Sequence, residues 1–172
     1  MIWPDLEPIL KPIRWAVWGG VAIRHYIVPE REPLDFDAAV AAADGPAMRE
    51  KMAASGYHYQ GESEWGEAMW RSAEGVPIDV FEGAEEWWPT ALAQAQSNRN
   101  AQGLPILPLP YLILLLLDDG RERKLNDAAK MLSAADEPTL AEVRSLVAHY
   151  RPQHAEGLAH LIVQGKREMN NA

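Results

Sequence analysis

The chain of 172 residues contains no cysteine. This absence excludes disulfide bonds, metal sites built from thiolates and catalysis by a cysteine nucleophile. It is compatible with a reducing compartment. The first residues after Met1 include Pro4 and Asp5 and do not form the basic and apolar leader of an exported protein. We therefore expect a cytoplasmic protein.

Basic residues are also scarce. Sixteen Lys and Arg stand against 25 Asp and Glu, which gives a formal net charge of −9. Because Lys and Arg supply most of the affinity for phosphate backbones, this balance argues against an extended nucleic-acid interface. A nucleoside triphosphate needs only a few cations and Mg²⁺. The candidates are Arg24, Arg31, Arg121, Arg123 and Lys124, each of which is otherwise an ordinary solvated side chain.

Long apolar runs are missing as well. Residues 104–117 are strongly apolar but are interrupted by Pro105, Pro108 and Pro110. The uninterrupted part is shorter than the roughly 20 residues that a membrane span requires, so we expect a buried helix and no membrane partner. With 48% hydrophobic residues the chain can build a sizeable core. It contains no internal repeat.

The most informative stretch is residues 15–37. An apolar run at 15–18 predicts a strand, Gly19 and Gly20 predict a turn, residues 21–26 predict a short helix, and a second strand carries Asp35 and Asp37. Side chains alternate along a strand, so the two carboxylates share one face with Cα atoms roughly 6.6 Å apart. Such a pair can hold a hard divalent cation, although it also occurs on solvated strands.

A third acid lies in the apolar run of residues 76–81, which predicts another strand. Asp79 is either turned to solvent or held in a site that supplies countercharge, because an unpaired buried carboxylate is costly. The glycines at 19 and 20 allow close approach of a ligand to the backbone, and their amides are candidates for holding a phosphate.

Together these motifs resemble the polymerase-β-type nucleotidyltransferase superfamily. The likeness rests on Gly19-Gly-Val-Ala22, on Arg31-Glu-Pro-Leu-Asp-Phe-Asp37, on Asp79 and on residues 107–127, so that it spans about residues 14–132. It is strongest for the small prokaryotic branch of minimal nucleotidyltransferases and abortive-infection-type toxins. The resemblance implies an α+β fold, with a mixed β-sheet flanked by helices and a C-terminal helical region.

The resemblance also implies an activity and a site. Asp35, Asp37 and Asp79 would be the catalytic residues and the Mg²⁺ ligands. Gly19, Gly20, Arg31 and Arg121 would bind the nucleotide cofactor, a nucleoside triphosphate. The implied reaction moves a nucleoside monophosphate to a hydroxyl of a protein, of tRNA or another nucleic acid, or of a small molecule.

Three departures from the family pattern favour an alternative. Pro33 replaces a usual Thr, Leu116 replaces a frequent Lys, and Arg123-Lys124 replaces a Lys-Asp pair. The alternative is a catalytically degenerate member of the same fold. It would act as a toxin–antitoxin component or bind another cognate protein partner.

The remaining pattern predicts the domain organisation. We expect a nucleotidyltransferase-like core at residues 1–103 and a helical region at 104–172 that packs on it, with residues 97–103 as the hinge. The paired Trp87 and Trp88 are expected in the core, with base stacking as the alternative. Predicted strands cover 57–59, 68–72 and 76–81, and predicted helices cover 4–10, 44–54, 85–96, 111–117, 123–132, 140–150 and 153–166.

Overall fold

The computed structural model describes residues 2–28 and 32–170. The chain divides into two compact units. The first comprises Met1–His25 and Glu30–Leu107, and the second comprises Tyr26–Pro29 and Pro108–Ala172. The division at residue 103, and the packing of the helical region on the core, stay predictions.

The first unit contains a five-stranded sheet of order β1-β2-β5-β4-β3. Its strands are β1 (Trp15–Val17), β2 (Phe36–Ala41), β3 (His58–Glu62), β4 (Ala68–Arg71) and β5 (Pro77–Gly83). β2 and β5 are parallel, whereas β1 pairs antiparallel with β2, and β4 pairs antiparallel with both β5 and β3. The predicted α+β class with a mixed sheet is confirmed.

Four α-helices begin in the described part of the first unit. They are α1 (Glu7–Leu10), α2 (Gly19–Tyr26), α3 (Gly45–Ala54) and α4 (Trp88–Ala95). Three of them carry Pro at the first or second helical position, where the missing N–H breaks no helical hydrogen bond. α4 begins three residues later than predicted, and Pro89 marks its first turn. α1 is likewise shorter than the predicted helix at 4–10.

One face of the sheet is apolar and anchors the strands. Phe36 and Val40 of β2 and Ile78 and Val80 of β5 are completely buried. The two methionines of α3 are buried as well, and α3 contacts β2 and β3. Since side chains alternate along a strand, this apolar set turns the acids at 37 and 79 to the opposite face.

The second unit is helical. Its helices are α5 (Leu109–Asp119), α6 (Glu122–Ala134), α7 (Glu137–Tyr150) and α8 (Ala155–Asn170). α5 is the predicted buried helix, with eight of its eleven residues buried, and Gly120 ends it in the left-handed conformation. Gly165 lets α8 approach α6 closely, because a Cβ at this position would overlap the carbonyl of Ala129. The predicted C-terminal helical region is confirmed.

A helix that crosses a bilayer must be both long and apolar. Among the helices within residues 2–28 and 32–170, none combines the two properties to the extent that a span requires.

Candidate functional site

Three carboxylates converge at the start of β2 and in the middle of β5. Asp35, Asp37 and Asp79 each present one oxygen atom, and these three atoms lie within 4.8 Å of one another. Asp37 and Asp79 are directly paired in the parallel register of the two strands. Asp35 occupies the bend one residue before β2, not the strand itself, and its carboxylate still reaches the other two. The structure thus brings together all three acids that the sequence singles out.

The N-terminus of α2 lies against this cluster. Gly19 is the first residue of α2 and has a φ of 60°, and a Cβ built on it would overlap the carboxylate of Asp37. The backbone N–H of Gly20 donates to Oδ2 of Asp37 over 3.3 Å. Only glycine at position 19 allows this approach, because it tolerates the left-handed conformation and has no side chain. One carboxylate oxygen is therefore fixed by the helix terminus.

Trp18 ties the end of β1 to β2 at the same point. Its backbone N–H donates to the carbonyl of Asp37 over 3.0 Å, and its indole N–H donates to the carbonyl of Ala38 over 3.1 Å. Pro33 packs on the other side of the turn, where a Cβ at Gly20 would lie 3.1 Å from the Cβ of the proline. The departure at position 33 thus fills space beside the glycines and leaves the carboxylates together.

The electrostatics of the cluster favour a bound positive charge. Burial raises the pKa of Asp79, and the nearby charge of Asp35 raises that pKa further. Three carboxylate oxygens at short range form the hard, anionic donor set that Mg²⁺ prefers. The residues present therefore fit a divalent cation.

The two predicted arginines are not brought to this cluster by any described contact. Arg31 lies outside the described residues. Arg121 lies in the second unit, where its Nε atom donates to Oδ1 of Asp119 over 2.6 Å and its Nη2 atom to Oδ2 over 2.5 Å. This pairing raises the pKa of Arg121 and lowers the pKa of Asp119. The guanidinium is thus already engaged by a carboxylate of its own unit.

Arg71 lies on the same face of the sheet as Asp79, and it was not predicted as a site residue from the sequence. In the β4–β5 pairing, Met69 lies opposite Asp79 and Arg71 lies opposite Pro77. Residues 69 and 71 therefore share the face of Asp79. The alternation of buried and more exposed residues along β4 is visible in the sequence, but it does not reveal which strand β4 pairs with.

The paired tryptophans at 87 and 88 belong to the core. Both are nearly completely buried, and their rings stack with centroids 4.4 Å apart. A Cβ on Gly83 would overlap the indole of Trp88, so α4 packs tightly on the end of β5. The core interpretation is confirmed, because rings buried to this extent offer no open face to a nucleotide base.

No family model matches the chain, and no curated protein matches it significantly. Among solved structures, the chain is similar to the antibiotic-resistance factor ANT(2″)-Ia in solution, with 13% identity over 92% of this chain and 86% of that one and a TM-score of 0.45. The crystal structure of ANT(2″)-Ia with adenylyl-2″-tobramycin gives 14% identity, 88% coverage of each chain and a TM-score of 0.47. JHP933 from Helicobacter pylori gives 12% identity over 91% of this chain and 73% of that one, with a TM-score of 0.42.

At identities of 12–14% and TM-scores of 0.42–0.47, these likenesses assign no activity to this chain.

Proposed function

We propose that the chain is a metal-dependent nucleotidyltransferase that moves a nucleoside monophosphate from a nucleoside triphosphate to a hydroxyl acceptor. The observation that supports this proposal most is the convergence of Asp35, Asp37 and Asp79 within 4.8 Å beside the N-terminus of α2. A helix N-terminus favours anions, and the carboxylates favour a cation, so a phosphate–Mg²⁺ unit matches both.

Asp35, Asp37 and Asp79 would hold Mg²⁺ in this proposal. Bound there, the ion would neutralise charge on the phosphate oxygens of the substrate. The dipole of α2 would orient the triphosphate from one side. Holding the reactants in this way converts transfer into a reaction between prepositioned groups.

The proposed reaction needs only the nucleoside triphosphate and the hydroxyl acceptor. The acceptor oxygen forms a bond to the α-phosphorus, the bond from that phosphorus to the bridging oxygen breaks, and pyrophosphate leaves. Asp79 takes up the proton of the acceptor hydroxyl.

The first test is calorimetric titration of the protein with each nucleoside triphosphate, with Mg²⁺ and with EDTA. We expect saturable binding that needs Mg²⁺ and is lost in the double variant Asp35→Asn/Asp37→Asn. Asp44→Asn is the matched control, because Asp44 lies beyond the other end of β2 and its side chain caps no helix. The control should bind as the wild type does.

The alternative is a protein of the same fold that binds a partner and transfers nothing. The loss of basic residues, such as the frequent Lys that Leu116 replaces, favours it. A folded wild type that binds no nucleoside triphosphate with Mg²⁺ would contradict the enzyme proposal. A toxin–antitoxin role or another protein interaction would then be the better hypothesis.

A further inference from the structure

The carboxylate face of the sheet continues past Asp79 onto β4 and β3. Met69 pairs with Asp79 on one side and with Gly61 on the other. Arg71 pairs with Pro77 and with His58 in the same way. Directly paired residues share a face, so His58, Gly61, Met69 and Arg71 lie beside Asp79 on one continuous surface. We call these four residues the β3–β4 shelf.

The β3–β4 shelf is open to solvent. His58 and Arg71 are exposed, and Gly61 and Met69 are partly exposed. At Gly61 a Cβ would meet only the methyl group of Met69, at 4.0 Å. The surface next to Asp79 is therefore accessible to a molecule that approaches from solvent.

The two sides of the carboxylate cluster differ in chemistry. On the β1 side the cluster meets the N-terminus of α2, with Gly19 and Gly20 against Asp37. On the β4 side it meets the shelf, which carries a guanidinium and an imidazole. In the proposed function the triphosphate takes the α2 side, so the acceptor must reach Asp79 over the shelf.

Arg71 has hydrogen-bonding capacity to spare. Its Nη1 atom donates to the carbonyl of Gly75 over 2.7 Å, which fixes one end of the guanidinium. Within the described part of the chain, Arg71 forms no ion pair with a carboxylate. A guanidinium held at one end, with donors left over, is suited to bidentate binding of a phosphate.

We propose that the acceptor carries a phosphate near its reacting hydroxyl, and that Arg71, with His58 beside it, binds this phosphate while Asp79 receives the hydroxyl. This inference rests on the proposed function and adds the chemical class of the acceptor. The spacing sets the size of the acceptor fragment. Arg71 is the diagonal neighbour of Asp79 on the adjacent strand, where Cα atoms are roughly 7–8 Å apart. Its guanidinium extends away from Asp79 to the carbonyl of Gly75, so the phosphate and the hydroxyl are separated by several bonds. The phosphate belongs either to a small phosphorylated compound or to the last nucleotide of a strand.

The test compares acceptors that differ only in a phosphate. Transfer from a labelled nucleoside triphosphate is measured with glycerol and glycerol 3-phosphate, and with adenosine and adenosine 5′-monophosphate, which stands for the last nucleotide of a strand. We expect the phosphorylated member of a pair to react with a KM that is lower by about tenfold or more, as a charge-assisted hydrogen-bond pair implies. The pair that responds identifies the source of the phosphate.

Arg71→Gln removes the charge and keeps a donor. We expect it to raise the KM for the phosphorylated acceptor about tenfold and to leave the KM for the nucleoside triphosphate unchanged. Arg14→Gln is the control, because Arg14 is exposed and lies just before β1, at the opposite edge of the sheet. A higher KM for the nucleoside triphosphate in Arg71→Gln would overturn the proposal, and so would an equal loss with neutral acceptors.

Binding measurements separate this inference from the proposed function. Glycerol 3-phosphate is titrated without nucleotide and followed by chemical-shift changes of the amides in β3 and β4. Shifts that need Arg71, together with failed Mg²⁺-dependent nucleotide binding, would keep the phosphate site but overturn the proposed function, and with it the assignment of that phosphate to an acceptor. Nucleotide binding by the wild type together with equal shifts in wild type and Arg71→Gln would overturn the inference alone.

Discussion

Asp37 and Asp79 lie directly opposite each other in the parallel pairing of β2 and β5. Neighbouring strands are about 4.8 Å apart, so the two carboxylates on one face lie close together. Burial raises the pKa of Asp79, and the charge of Asp35 raises it further. Without a bound cation, the ionised carboxylate of Asp79 is therefore less favourable in the folded protein than in the unfolded chain.

Replacing this charge should stabilise the protein when no cation is present. Below the ordinary aspartate pKa of 3.8 the carboxyl is protonated in both states, so wild type and Asp79→Asn differ least there. As the pH rises through the window between that value and the higher folded pKa, the wild type loses stability relative to the variant. Above this window the difference is constant.

We expect the Tm of Asp79→Asn in EDTA to exceed that of the wild type by on the order of 1–3 °C at neutral pH. Thermal unfolding from about pH 3.5 to about pH 7 measures the profile. A variant that is less stable than the wild type at neutral pH would show that Asp79 makes a favourable contact.

A divalent cation should make the wild type more stable than Asp79→Asn. A ligand that binds only the folded state stabilises it by about 2.7 kcal/mol at 100 times its Kd. We expect Mg²⁺ or Mn²⁺ to raise the Tm of the wild type more than that of Asp79→Asn, because the variant lacks one oxygen anion. NaCl at matched ionic strength is the control, since it screens charges without entering the cluster. Equal shifts with NaCl and Mg²⁺ would mean that the acids do not form a metal site.

The local part of this architecture follows from the sequence. The apolar run at 15–18, the two glycines and the Asp-Phe-Asp stretch predict β1, α2 and β2, because each has its own period and turn chemistry. The approach of Asp79 to Asp37 required the family resemblance, since a single strand does not specify its neighbour. The position of Arg71 on the carboxylate face depends on which strand β4 pairs with, and the local sequence does not reveal that pairing. The ion pair between Arg121 and Asp119 depends on a side-chain contact that the sequence pattern does not predict either.

Gly19 is expected to be the least replaceable residue at the N-terminus of α2. In Gly19→Ala the left-handed φ is strained and the new methyl group meets the carboxylate of Asp37. The conformational strain alone costs about 1–2 kcal/mol, and the overlap adds to it. Gly56→Ala separates the two effects, because Gly56 has a φ of 83° with open space around it.

Chemical denaturation measures both glycine variants. We expect Gly56→Ala to lose about 1 kcal/mol and Gly19→Ala to lose clearly more. Only Gly19→Ala should weaken Mg²⁺ binding, because only its methyl group displaces Asp37. Equal losses of stability with unchanged cation binding would show that the approach of Gly19 to Asp37 is not needed to hold the cluster.

In the second unit, we expect Arg151 to contribute more to the free energy of unfolding than the exposed arginines do. Its Nε atom lies 2.8 Å from each carboxylate oxygen of Asp118, and its Nη1 atom donates to the carbonyl of Tyr150. The Arg151 side chain is only 18% exposed, whereas Arg144 is 48% exposed and lies 3.6 Å from Glu137. The Nε2 atom of His154 also lies 3.3 Å from Oδ1 of Asp118.

Arg151→Ala should therefore lower the free energy of unfolding by about 1.5–3 kcal/mol, because it leaves Asp118 without its main partner. Arg144→Ala removes an exposed pair, and we expect a loss of at most about 0.5 kcal/mol. Urea unfolding followed by far-UV circular dichroism, which reports mainly the helices, measures both variants. Equal losses would mean that water replaces the guanidinium at Asp118, and that packing rather than this ion pair joins α5 to the turn after α7.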